Sequence, residues 1–199
     1  EPTAASPRYT GPVEIGKSAR FRATALREGG ENASYSREFA FSKSTGRPAV
    51  LNTKPNDSYT FEGASLLVDG YHSRPGFTSG AWLGYLDEPL DVTIDMGGEQ
   101  SYRSVELETL AEKGDWIFPP SSVTVWVSDN GTDFTEVASV AVPEAKAGDA
   151  DGIGRYRMQF PETSARYLKV VAQNAAAIPA WHPGAGSKGF LFVDEVVVE

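Results

Sequence analysis

Residues 190–198, Phe-Leu-Phe-Val-Asp-Glu-Val-Val-Val, form an almost unbroken apolar run rich in aromatic and β-branched side chains. Such a run reads as a strand covered on both faces. Two carboxylates, Asp194 and Glu195, stand inside it. Period 2 sets Glu195 on the side of Leu191, Val193 and Val197, and Asp194 with Phe192 and Val196. An unpaired ion there costs on the order of several kcal/mol, so a cationic partner is expected beside the strand. An arginine and a metal ion both meet that requirement.

The same period governs the rest of the chain. Val123, Val125 and Val127 alternate with Thr124, Trp126 and Ser128, and Asp129-Asn130-Gly131 then turns the chain into a second alternating stretch at 134–140. Asn-Gly accepts the positive φ of a tight turn, so the pair reads as a hairpin. Further strands read at 91–96, 104–110, 155–160 and 166–171, separated by Gly97-Gly98, Pro119-Pro120, the glycine-containing stretch 148–154 and Pro161. Many short strands with such punctuation predict an all-β sandwich or jelly roll. Residues 1–47 differ: two strands, 19–26 and 36–41, flank Glu28-Gly29-Gly30-Glu31-Asn32. Two strands alone are marginal in water, so they must extend a larger sheet or lean on a neighbour. Residues 42–48 have linker composition, and the boundary between a segment 1–47 and a domain 48–199 is placed there.

Composition excludes several function classes. The chain has 199 residues, 40% of them hydrophobic and 11% aromatic, enough for a proper core. A net charge of −9 argues against nucleic-acid binding, which calls for a basic stripe. No apolar stretch approaches the roughly 18 residues of a membrane span, and no signal peptide is visible, so membrane insertion is not expected. The chain starts at Glu1 and reads as excised from something longer. Cysteine is absent, which removes disulfides, thiolate nucleophiles and cysteine metal sites together.

Several pieces, in order, resemble the discoidin or F5/8 type C domain, a galactose-binding-like jelly roll close to family 32 carbohydrate-binding modules. They are Leu67-Val68-Asp69-Gly70, Gly80-Ala81-Trp82-Leu83-Gly84-Tyr85, Val92-Thr93-Ile94-Asp95-Met96-Gly97, Trp116-Ile117-Phe118-Pro119-Pro120, Ser128-Asp129-Asn130-Gly131, Ala165-Arg166-Tyr167-Leu168-Lys169-Val170 and Phe192-Val193-Asp194-Glu195-Val196. The leader, Glu1-Pro2-Thr3 through Tyr9-Thr10-Gly11-Pro12, is similar to the end of the small sandwich repeat that follows the barrel of bacterial chitobiases and β-hexosaminidases. Together these resemblances imply the non-catalytic C-terminal region of an exported bacterial glycoside hydrolase, periplasmic or on the cell surface. Its expected partners are an oligosaccharide and the parent catalytic domain.

The residues agree that the chain is not itself an enzyme. A (β/α)₈ barrel needs about 250 residues with a helix after each strand. Adjacent acids on a strand, such as Asp194-Glu195, point to opposite faces and seldom serve one substrate. His72 and His182 are the only histidines, and no nucleophile motif of the Gly-x-Ser-x-Gly type occurs. Sugar sites stack an aromatic ring on the apolar face of a pyranose and use a few polar groups for its hydroxyls. Loop aromatics of that kind occur at Trp181-His182 and Trp116, and Tyr71, His72, Arg74 and Phe77 share a third loop. A large loop aromatic also serves as a cap on a sandwich core, so both uses stand open for each ring. The family resemblance further implies a structural calcium held by Asp69, Glu195 and a hydroxyl of Ser79 or Thr78, with backbone carbonyls. Arg74 is the competing cation. Three functions follow: a module holding its hydrolase near galactose- or N-acetylglucosamine-containing glycans, a spacer without ligand, or a protein-adhesion domain.

Overall fold

The computed structural model describes residues 1–27, 29, 33–79 and 82–199, the side chain of Ser79 apart. Nine strands are present among them: β1 (Ala19–Ala25), β2 (Ala33–Phe39), β3 (Ala49–Leu51), β4 (Leu83–Tyr85), β5 (Leu90–Ala111), β6 (Ser122–Ser128), β7 (Thr135–Ala141), β8 (Gly152–Gln173) and β9 (Leu191–Val198). The expected all-β, galactose-binding-like jelly roll is what forms. Four of the strands expected separately fuse into two long bent ones, β5 and β8. The first half of β5 pairs with the second half of β8, and the second half of β5 with the first half of β8. Register breaks between Asp95 and Gln100 and between Tyr102 and Ser104 mark the bend. Gly97 sits there at φ +80°, where its N–H reaches the Asp95 carboxylate, so the glycine pair bends a strand rather than ending it.

Bending turns one hydrogen-bonded ladder into two layers. One contains β3, the start of β5, the end of β8, β6 and β7. The other contains β4, β9, the end of β5 and the start of β8. Val92, Ile94, Val125, Leu168 and Val170 of the first meet Val105, Leu107, Val193 and Val196 of the second in one buried core. The β6–β7 hairpin forms as expected, though only Gly131 of its turn takes positive φ. The Asn130 carboxamide oxygen accepts instead from the Thr132 and Asp133 N–H groups.

In β9 the alternation changes phase. Thr109 of β5 faces Val193, and Leu107 faces Val196, so Asp194 and Glu195 together oppose the single residue Glu108. This bulge corrects the strict period-2 reading: Val193 and Val196 share the core face, and both acids turn toward the loop at 69–73. Each carboxylate is nevertheless fully buried.

The two-stranded β1–β2 sheet is antiparallel. The turn expected at residues 28–32 lies outside the described residues except for Gly29. Residues 40–46, which include most of the stretch 42–48 expected as a linker, form a strap bonded to the sandwich. Ala40 N–H donates to Gly70 O at 2.7 Å, Lys43 N–H to Val198 O at 3.0 Å and Gly46 N–H to Val68 O at 2.7 Å. The buried Ser44 hydroxyl donates to Val196 O. No described helix is long and apolar enough to cross a membrane.

Candidate functional site

The aromatic end of the sandwich is built by two loops. After β5 the chain reverses tightly, with Glu112 and Ile117 exchanging backbone hydrogen bonds of 3.1 and 3.2 Å. Trp116 occupies the last corner of this reversal at φ +64°, a left-handed conformation costing about 1–2 kcal/mol for a residue with a Cβ. Its N–H donates to Lys113 O and its carbonyl accepts from Phe190 N–H, which fixes the corner. An ion pair of Lys113 with Asp151 braces the base. The second loop precedes β9 and is closed by Ile178 N–H to Ser187 O and Gly186 N–H to Ile178 O. Within it Gly184 N–H donates to His182 Nδ1 at 3.1 Å, so that ring nitrogen serves as an acceptor and orients the imidazole.

His182 is the wedge between the two tryptophans. Its ring lies 6.1 Å from Trp116, 5.6 Å from Trp181 and 5.5 Å from the buried Phe118, each time edge to face. It is itself buried, whereas Trp116 and Trp181 remain 43% and 40% exposed. The Trp181 indole N–H donates to Ala145 O at 2.9 Å, tying the loop before β8 to the cluster. Beside it runs a groove of about 420 Å³ walled by Phe118, Pro120, Pro143, Ala177 and Pro179. Two half-exposed rings held rigidly beside an apolar groove can stack on the C–H faces of sugar rings. Gly184 makes room for one of them, since a Cβ there would stand 2.8 Å from the Trp116 ring. Gly184→Val is therefore expected to push Trp116 out of place, read as a changed near-ultraviolet circular dichroism spectrum. An unchanged spectrum would show that the loop yields instead.

A second, polar centre forms where the 69–74 segment crosses the β9 bulge. Asp69 Oδ1 accepts from Tyr71 N–H at 2.7 Å, Asp194 from Ser73 N–H at 2.7 Å and Glu195 Oε1 from Gly70 N–H at 3.2 Å. Glu195 Oε2 is buried without a hydrogen-bond partner. Burial, reinforced by the charges of Asp69 and Asp194, pushes the Glu195 carboxyl up to about 10. Burial likewise raises Asp194 to about 8, and it raises Asp69 above its ordinary value. The next acid, Glu108, is also buried, with Arg155 Nε 2.8 Å and His72 Nδ1 3.0 Å from its Oε2. That hydrogen-bonding carboxylate raises the His72 imidazole above its ordinary value.

The structure thus divides the expected site residues among three places. Trp116, Trp181 and His182 come together. Tyr71, His72 and Arg74 line a separate polar cleft with Arg37 and Arg155. Phe77 joins neither, because its ring packs edge to face against Tyr59 and Phe192 in an apolar cluster around the buried Trp82. Trp126 lies on the outer face of β6 with the Lys169 ammonium 5.7 Å over its ring. Asp69 and Glu195 converge, whereas the Ser79 side chain lies outside the described residues. Among the described residues no guanidinium pairs with Glu195, and no group of three or more His, Asp or Glu side chains is arranged to hold a metal ion. Arg74, the competing cation, contributes its carbonyl to the Trp82 indole N–H at 3.3 Å. Sequence reasoning missed Phe118, Arg37 and Arg155. Phe118 sits in a quoted motif and was findable, but the two arginines reach the cleft only through strand pairing.

Comparison with known proteins matches this architecture. The family model described as the F5/8 type C domain matches residues 51–188. No curated protein matches the sequence closely enough to count as a relative. Among solved structures, the module CpGH89CBM32-5 from Clostridium perfringens, in complex with GalNAc-β-1,3-galactose, is similar at 16% identity and a TM-score of 0.50, over 76% of this chain and 93% of that one. Chitosan-binding module 1 of a chitosanase/glucanase from Paenibacillus sp. IK-5 is similar at 17% identity and a TM-score of 0.50, over 80% and 98%. The GH29 fucosidase E1_10125 of Ruminococcus gnavus, in complex with fucose, has 11% identity and a TM-score of 0.52, over 79% of this chain and 26% of that one.

Proposed function

The chain belongs to the F5/8 type C domain family, and on that premise we propose that it is a non-catalytic carbohydrate-binding module whose site is the platform of Trp116 and Trp181. The observation that carries this reading is the pair of half-exposed indoles wedged by His182 beside an apolar groove. Rings serving only to cap the core gain most from full burial, as Trp82 and Phe118 do. The ligand class is a neutral glycan containing galactose or N-acetylglucosamine, and the parent is an exported bacterial glycoside hydrolase of the chitobiase or β-hexosaminidase type. Support for the parent is the leader's resemblance to the repeat behind such barrels. A concavity lined by Tyr9, Val13, Phe21, Tyr35 and Phe39, with Tyr9, Val13 and Tyr35 exposed, gives the leader an apolar face for packing. A glycan array probed with the full chain tests the function: binding of β-linked galactose or N-acetylglucosamine oligomers is expected. A blank array for neutral glycans would leave the spacer role.

We further propose a structural calcium at the second centre. Asp69 and Glu195 would hold the ion together with backbone carbonyls and the hydroxyl of Ser79 or Thr78. The orphaned Glu195 Oε2 and the mutual charge of the two carboxylates are what a hard cation relieves. Its part is structural, fixing the 69–74 segment against β9.

A further inference from the structure

The cleft holding Tyr71, His72 and Arg74 has a chemistry unlike that of the tryptophan platform. It measures about 370 Å³ and lies between β2 and the 71–74 segment, with Arg37, Arg74 and Arg155 on its walls. On a chain of net charge −9, three guanidinium groups around one cavity, with Glu38 the one carboxylate on its wall, concentrate positive charge locally. Their partners are incomplete. The Arg37 guanidinium lies 3.5 Å over the Tyr71 ring, which fixes its plane, yet its Nε is buried without a hydrogen-bond partner. Arg74 has no ion pair among the described residues. Arg155 is engaged with Glu108 from behind. Two further acids bear on it: Glu38, on the cleft wall and held by Arg20 at 2.8 Å, and Asp69, whose Oδ1 accepts from Tyr71 N–H and whose charge interacts with Arg37 at longer range. Two guanidinium groups that make no ion pair among the described residues therefore line a cavity large enough for a sugar's charged substituent.

We propose that this cleft binds the anionic substituent of an acidic sugar, a uronate carboxylate or a sulfate ester, through Arg37 and Arg74. Planar guanidinium forks match oxyanions bidentately, and the Tyr71 stack holds one fork in place without a competing anion. The inference rests on reading the domain as a glycan binder but uses none of the platform's residues. Ser36, Arg37 and Glu38 of the cleft come from β2, so the segment 1–47 and the sandwich build the site jointly.

Titration calorimetry on the full chain separates the possibilities, with glucuronic acid, glucose 6-sulfate, N-acetylglucosamine and sodium sulfate as probes. At least one acidic sugar is expected to bind, the tighter one identifying carboxylate or sulfate as the anion. Arg74→Gln and Arg37→Gln should each weaken it tenfold or more while Trp181→Ala leaves it unchanged. Arg74 is exposed, so its variant reports on binding even where Arg37→Gln perturbs the β2 contact. No acidic-sugar binding, or affinity indifferent to Arg74→Gln, overturns the proposal. Equal affinity for sodium sulfate overturns its sugar part and leaves an adventitious ion only. Loss of acidic-sugar binding with neutral-glycan binding intact removes this inference alone. The reverse pattern removes the platform reading alone.

Discussion

Trp181→Ala and Trp116→Ala are each expected to weaken neutral-glycan binding by roughly five- to a hundredfold, and the double variant to abolish it. A stacked aromatic anchor contributes on the order of 1–3 kcal/mol to such a contact. The fold should survive, because both rings are about two-fifths exposed and neither belongs to the main core. Trp181→Ala also removes the hydrogen bond to Ala145 O, worth about 1 kcal/mol net. Trp181→Phe keeps a stacking face without that bond, so retained affinity in it assigns the loss to the ring. Calorimetry against an array hit, with a thermal melt beside it, reads all four variants. Unchanged affinity in the alanine variants would take the tryptophans out of the site. A lost cooperative melt would instead make them caps on the core.

Chelation is expected to lower the melting temperature, and Glu195→Gln to abolish the response to added calcium. A ligand that binds only the native state at a hundred times its dissociation constant stabilises by about 2.7 kcal/mol. At about 2–4 °C per kcal/mol for a chain of this size, the shift is roughly 5–10 °C. The pH dependence has a definite sign. In the metal-free protein Asp194 and Glu195 bind protons up to about 8 and about 10, against ordinary values of 3.8 and 4.5. Between those limits the native state holds more protons than the unfolded chain, so stability falls as pH rises. At the acid end the Asp95–Arg166 hydrogen bond, which lowers Asp95 to about 2, is lost as pH falls through that value. Metal-free melts should therefore be higher at pH 5.5 than at pH 8, and calcium should reverse the order by replacing the protons. A melt indifferent to chelator and calcium but still higher at pH 5.5 than at pH 8 would leave Glu195 as a protonated acid with no ion.

Much of the fold was legible because a sandwich strand writes its burial directly into alternate residues. The valines of β6 and the paired halves of β5 and β8 follow period 2, and the sandwich they predict is the one that forms. The alternation could not show that strands 91–96 and 104–110 are one bent element. A bend through Gly97 and a stop at Gly97 demand the same residue. Nor could it show the β9 bulge, since a bulge is a mismatch between two strands and the partner, Glu108, lies far away in sequence.

The loop residues divide in the same way. Their types marked Trp116, Trp181 and His182 for exposure and stacking, and tertiary structure alone set them around one wedge while sending Phe77 into an apolar cluster. The pairing of β9 with β5 brought Asp194 and Glu195 beside Glu108, and the 69–73 segment packed against them laid Asp69 close to Glu195. The strap at 40–46, closed on the sandwich by backbone bonds, anchors the chain leaving β2, whose Arg37 stacks on Tyr71. What the sequence determined by itself was local: which stretches must be strands, which turns must bend, and which side chains needed a partner. Which partner each one met depended on strand register and loop closure, because the groups involved are separated by tens of residues and only the packed layers bring them within reach.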